Sequence, residues 1–481
     1  MISLIKSRRI NHYLKEFDNN AILKLIIFFI YEIYIAINLQ RHSMWRDEIH
    51  VWLVNKQSNN FFELLSNFHF DGKPLLYYLV TWPISYYTDS PESLKIITFI
   101  FATATAFLIL WKLRILFLYR LMILGGFLFT GGYSTISRDY VLLAFILFLL
   151  VNSLYDIRRF KLQILLLVLL PHVNVFGLLI SAFFFIIVII ETINKGKAVV
   201  NNIFFYLLVF ISQLISLIFY RPKSNSHWNV STSLDLPSDL LSFLQAWQNS
   251  LFPWNLENSI LNYFFALFSL SFLILLLFCI YRINLIIFFG SILTFLSFVF
   301  LFTKTPAVFW WHTGTLTIFL ISILIYVLNS RLNMNSKVLP NLLLFVILSA
   351  QIFGNFFGFG KSIFSDAPYS NAKAASGFIE QRCNQSCVVI VNYDWAGASI
   401  SGYLGGREVY KVDRQAFGTF TVWEKGLRTV GWGEIELEAT KFENFVIVLN
   451  EKADPPQGFL LVRSFEGAVW SDENFYVYEK T

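Results

Sequence analysis

Residues 21–40 read AILKLIIFFIYEIYIAINLQ, and residues 41–54 continue RHSMWRDEIHVWLV. The first block supplies about the 20 mostly apolar residues that a helix needs to cross a bilayer. The second places two adjacent carboxylates, Asp47 and Glu48, just past the end of that span. Ionisable groups beside hydrocarbon are costly and usually functional. The junction therefore marks both a membrane boundary and a place to look for chemistry.

Further apolar stretches lie near 94–111, 115–133, 139–155, 160–171, 173–191, 203–220, 260–280, 284–302, 313–329 and 338–355. With the first they predict about eleven spans, a polytopic α-helical membrane protein. The stretch PLLYYLVTWPISYY at 74–87 is short, tyrosine-rich and flanked by Pro74 and Pro83, which predicts an interfacial helix. Composition agrees: 56% of the 481 residues are hydrophobic, 14% are charged and 53 are phenylalanine, and the mean hydropathy is +0.59. A soluble chain carries about a quarter charged residues. An ordinary cytosolic enzyme, a disordered scaffold and a disulfide-stapled secreted module are therefore excluded. The net charge of +6 is too even, and its cations too scattered between apolar runs, for nucleic acid.

Sidedness follows from the basic residues of alternate loops. An N-terminus in the cytoplasm puts Lys6, Arg8, Arg9, Lys15, Lys112, Arg114, Arg120, Arg158, Arg159, Lys161, Lys195, Lys197, Arg282, Arg331 and Lys337 inside. Longer outside loops then hold fewer, and an odd span count leaves the C-terminal region extracytoplasmic. The basic N-terminus lacks a small-residue cleavage pattern and reads as leading into an uncleaved first span. In this orientation six of seven histidines (His42, His50, His69, His172, His227 and His312) fall in or beside outside loops, as do Arg46, Asp47, Glu48, Asp71, Lys73, Arg138 and Asp139.

The chain divides into a membrane region, 1–360, whose first outside loop spans 40–93, and a C-terminal domain, 361–481, with a hinge at Phe359-Gly360-Lys361. In the second part, β-type runs at 387–395, 407–413, 417–423, 444–450, 458–465 and 474–480 alternate with helix-like stretches near 368–382 and 394–404. This spacing predicts a small α/β domain with a largely buried sheet. Cys383 and Cys387 are placed to form a small disulfide in an oxidising compartment, and Cys279 reads as a buried hydrophobe.

The first outside loop continues from Asp47-Glu48 through helix-like VWLV and FFELL runs, read as lying along the membrane surface, to His69-Phe70-Asp71-Gly72-Lys73-Pro74. This order resembles the GT-C superfamily of membrane glycosyltransferases, in which an acidic motif after the first span precedes a His-Pro-Pro-Leu-Tyr-type element. Asp47-Glu48 matches the first, and Gly72-Lys73-Pro74-Leu75-Leu76-Tyr77-Tyr78 the second, with Lys73 standing where a histidine is usual. WRDEIHVWLV (45–54), SPESLKIITF (90–99), ISRDYVLLAF (136–145), HVNVFGLLIS (172–181), WWHTGTLTIF (310–319) and GYLGGREVYKVDRQAFGTFTVW (402–423) extend the likeness to a less characterised branch, similar to mannosyl- and arabinosyl-transferase-like membrane proteins.

The resemblance implies transfer of a sugar from a polyprenyl-phosphate carrier to an acceptor hydroxyl on a glycan, lipid or protein. The reaction would invert the anomeric centre on the extracytoplasmic face. Asp47, with Glu48 beside it, is the expected base. Arg138 and Lys73 would neutralise the departing phosphate. His69, Asp71, His172 and His312 would contact phosphate or acceptor. A divalent cation (Mg or Mn) would sit on Asp47, Glu48 and His69. Plainer alternatives stand beside these roles: a helix cap for Asp47-Glu48, an internal pair for Arg138-Asp139, interfacial hydrogen bonding for His172 and His312, snorkelling for Lys73, and a structural pair for Lys24 with Glu32. For the whole chain the rivals are a transporter or lipid flippase, which would carry charge near the midplane, and an inactive scaffold on the same fold.

Overall fold

The structure, a computed structural model, describes residues 18, 20–68, 71, 74–194, 199–220, 236–253, 259–304, 309–330, 337–357, 367–424, 428 and 430–481. Its membrane region is helical. The first helix, α1 (Ala21–Arg41), leads into a short trio, α2 (Arg46–Lys56), α3 (Phe61–Asn67) and α4 (Leu76–Tyr87). Then come α5 (Leu94–Trp111), α6 (Phe117–Leu124), α7 (Tyr140–Ser153), α8 (Phe160–Leu169), α9 (Val175–Asn194) and α10 (Ile203–Tyr220). The bundle closes with α11 (Leu236–Leu251), α12 (Ser259–Tyr281), α13 (Leu285–Lys304), α14 (Trp310–Asn329) and α15 (Val338–Phe357).

Eight of these, α1, α5, α9, α10, α12, α13, α14 and α15, are long and apolar enough to cross a membrane. The three other expected spans take shorter forms. The stretch 115–133 breaks where α6 meets Gly125-Gly126 and the chain turns widely through Leu128–Gly132, as paired glycines allow. The stretch 139–155 yields α7, 14 residues long. The stretch 160–171 yields α8, which stops ahead of Pro171, the usual effect of a proline on the residues before it.

The helices do not share the lipid equally. Some 89% of the apolar window of α14 is buried, against 17% for α1. In α14 a Cβ on Gly314 would sit 2.6 Å from both Leu128 Cδ2 and the Tyr133 hydroxyl oxygen, so only glycine permits that approach. Lys24 and Glu32 do not pair with each other: Lys24 bonds Asp18 at 2.9 Å, and Glu32 accepts from Thr103 on α5.

The C-terminal domain is a mixed sheet between helices. It runs α16 (Ala372–Arg382), β1 (Val388–Val391), α17 (Asp394–Tyr403), β2 (Val409–Lys411), β3 (Ala416–Gly418), α18 (Trp432–Ala439), β4 (Phe445–Leu449), β5 (Phe459–Phe465) and β6 (Phe475–Lys480). The strand order is β3-β2-β1-β4-β6-β5, with β1 parallel to β2 and β4 and the other pairs antiparallel. Side chains alternate along β1. Val389 and Val391 pack with Ala375 and Ile379 of α16 and Ile400 of α17, while Ile390 packs with Ile435 of α18 on the other face. Cys383 and Cys387 form a disulfide. The expected hinge at 359–361 lies outside the described residues.

Candidate functional site

Successive residues on a helix point about 100° apart, so Asp47 and Glu48 diverge in the first turn of α2. Glu48 turns inward and is fully buried. Its carboxylate bonds His42 Nε2 at 2.7 Å and accepts from the backbone N–H of Ser137 at 2.5 Å and of Trp45 at 3.3 Å. It ties the end of α1, the start of α2 and the segment before α7 together, and the bond to Trp45 caps α2. Asp47 stays partly exposed and bonds Arg138 Nη1 at 2.8 Å.

Arg138 is buried, and its guanidinium faces the rings of Tyr140 at 5.3 Å and Trp311 at 5.8 Å. Burial by itself lowers its pKa. Tyr140, Asp47, Asp139 and Glu48 outweigh that and raise it, so the cation is held. Asp139 does not pair with it in the expected internal fashion but accepts from Asn174 Nδ2 at 2.8 Å. Beside Arg138 lies a cavity of about 10 Å³, lined by Val51, Pro74, Tyr77, Tyr78, Asp139 and Val173, room for about one water.

The remaining expected residues flank this core. Asp71 bonds His50 Nε2 at 2.7 Å and accepts from the Tyr78 hydroxyl, so the far end of the loop is strapped to α2 and α4. His172 meets Ser212 of α10 at 2.9 Å, and its neighbour Val173 reaches the cavity. His312 stands behind Tyr140, ring centroids 6.3 Å apart, with Phe309 N–H 3.2 Å from Nδ1 and Trp311 Nε1 3.1 Å from Nε2. A neutral imidazole accepts at one nitrogen only, so one of these contacts acts at a time. His69 and Lys73 lie outside the described residues.

The cation set fits poorly. Asp47 and Glu48 point apart, and Glu48 is already ringed by protein donors. Among the described residues, no group of three or more His, Cys, Asp or Glu is arranged to hold a metal.

The C-terminal domain reaches into the same place. The helix α2 is buried from Glu48 to Asn55, with α4 on one side and α17 on another. Its run IHVWLV has no polar side to offer water, and so it must be covered. Arg46 donates to Asp472 at 2.6 Å and lies 4.7 Å from the Trp395 ring, while its backbone N–H donates to Glu473 at 3.2 Å. Trp45 stacks on Trp470 at 5.2 Å. The Tyr403 hydroxyl accepts from Met44 N–H at 3.0 Å and donates to Glu92 at 3.0 Å. A Cβ on Gly402 would come within 2.1 Å of Ile49 Cγ2, so α17 and α2 touch through a glycine. Glu473 also takes the hydroxyls of Ser370 at 2.6 Å and Ser399 at 3.0 Å. Burial raises its pKa to about 7, against the lowering effect of Arg46 and the two serines. Sequence reading missed Glu473, because Ser-Asp-Glu-Asn before a final strand reads as a solvated turn.

No family model matches the chain, and no curated protein or solved structure matches it either.

Proposed function

We propose that the chain is an integral-membrane glycosyltransferase of GT-C type, moving a sugar from a polyprenyl-phosphate carrier to an acceptor hydroxyl. The observation that carries this reading is the Asp47–Arg138 pair, 2.8 Å long, set beside a tyrosine-lined cavity at one end of the apolar helices. It joins a carboxylate suited to take a proton and a cation suited to a phosphate, from segments 91 residues apart.

The pair supplies an order of events. A donor phosphate competes for the Arg138 guanidinium, whose planar fork matches phosphate oxygens. Once Arg138 turns to phosphate, the Asp47 carboxylate is released to the acceptor. The acceptor oxygen bonds to the anomeric carbon as the bond from that carbon to the phosphate oxygen breaks. The hydroxyl proton passes to Asp47, and the phosphate leaves with the bonding pair, held by Arg138. Lys73 and His69 follow the superfamily resemblance as further donor contacts. The basic-residue bias supports a cytoplasmic N-terminus, which would put this end and the C-terminal domain on the extracytoplasmic side.

The test is mass spectrometry of lipids that co-purify in mild detergent. A polyprenyl-phosphate hexose should accompany the wild type and Asp47→Asn, and be lost from Arg138→Gln. Its absence from wild type and Asp47→Asn alike sinks the reading.

A further inference from the structure

At the end of the helical region away from Asp47, a cavity of about 580 Å³ opens between α1, α5 and α7. Its walls are apolar, with Phe28 from α1, Phe99 and Phe107 from α5, and Phe145 from α7. Two cations line it as well: Lys112, which follows α5, and Arg159, which follows α7. Both helices run away from the Asp47 end, so the cations share one level. Among the described residues, no acidic side chain lines the cavity. Arg159 Nε lies 3.7 Å from the Asp156 carboxylate, and Lys112 lies 5.9 Å from the Phe107 ring.

The groove runs along α5 from Lys112 back to Phe99, thirteen residues earlier, a rise of about 20 Å at 1.5 Å per residue. That is about two-thirds of the roughly 30 Å hydrocarbon core, length enough for an acyl chain. Thr103, part-way along this wall, donates to Glu32 of α1. A body that is apolar along its length and meets two cations at its head is a lipid with an anionic headgroup.

We propose that one anionic phospholipid of the leaflet opposite the Asp47 cluster occupies this groove, acyl chain against Phe28, Phe99, Phe107 and Phe145, phosphate between Lys112 and Arg159. The site is separate from the proposed transfer chemistry and stands or falls without it.

The test titrates the purified full chain in detergent with phosphatidylglycerol or phosphatidylcholine and counts bound lipid by native mass spectrometry. One phosphatidylglycerol should be retained with a preference of about tenfold or more, given about 1 kcal/mol for each cation near the headgroup. Lys112→Glu with Arg159→Glu should abolish the preference, and Ala104→Trp, which fills the groove and leaves the cations, should abolish retention. A phosphatidylglycerol carrying a photoreactive acyl chain should label the groove phenylalanines in the wild type, a readout that needs no variant. Equal retention of both lipids, labelling elsewhere, or displacement by inorganic phosphate alone would overturn the proposal.

Discussion

The helical region and the C-terminal domain bury charge in opposite ways. In the former, the ion pairs sit at helix ends: Asp47 with Arg138 at one end, Asp18 with Arg120 and Lys24 at the other. Glu32 is mid-helix, and it is hydrogen-bonded to Thr103. In the latter, Asp394 lies fully buried at the start of α17 and takes Lys411 Nζ at 2.5 Å, Arg414 Nε and the backbone N–H of Val422 at 2.9 Å. Lipid offers no counter-ion or water at its centre, so charge is pushed to the ends of the spans. A sheet domain can hold a charge inside when its own strands and loops bring the partners. Arg46, between the two regions, uses both solutions.

The largest expected effect breaks the internal solution. Asp394→Asn leaves Lys411 buried without its carboxylate, a loss of about 3–5 kcal/mol for one member of a buried pair. The melting transition of the C-terminal domain should vanish or fall sharply in calorimetry while helical circular dichroism persists. A loss below about 1 kcal/mol would show that the pair does not hold the domain.

The next effect concerns the seam. Glu473 has its pKa raised by burial from 4.5 to about 7. Its contribution is therefore complete below about pH 4.5, declines as pH rises through 7, and is absent above. At about 1.4 kcal/mol per pH unit the swing is roughly 3 kcal/mol. Protease nicking between the two regions should rise from pH 5 to pH 8, and Glu473→Gln should flatten that profile. A profile unchanged by the substitution would remove Glu473 from the seam.

Smaller still is the steric contact. Gly402→Ala should loosen the seam by about 1–3 kcal/mol, the usual range for overpacking. Adding Ile49→Ala should restore docking in the same protease assay, because the clash is with Ile49 Cγ2. Failure of the double variant to recover would mean that the two helices do not meet there. The smallest effect lies on the outer face of the bundle. Ile33, 61% exposed on α1, should tolerate alanine within about 0.5 kcal/mol, whereas an equal truncation within α14 should cost several times more.

Much of the architecture could be read directly. Five of the six strands and both helices expected of the C-terminal domain appear within about four residues of their places, since alternation and turn residues are local properties, whereas only the start of the run 417–423 enters β3 and α18 was not foreseen. The apolar runs became helices, but a run of hydrophobic residues is equally apolar whether it faces lipid or protein. Hydropathy therefore did not separate α1 from α14, nor the short α7 from a full span. The charged motifs behaved similarly. Asp47, Glu48 and Arg138 stood out because ionisable groups next to apolar runs are rare. Which carboxylate faces the arginine depended on the 100° step between them and on Ser137 arriving to receive Glu48.

Sequence alone determined that this is an apolar helical chain with an α/β domain behind it, because burial against lipid or sheet is written in residue type and period. It also marked Asp47 and Arg138 as unusual. Only the tertiary structure decided that these two meet, that Glu48 is sealed beneath them, and that Glu473, 427 residues from Arg46, docks the second domain onto the loop. Such pairings depend on the direction each side chain takes once whole elements pack, and no local pattern in a chain records that direction.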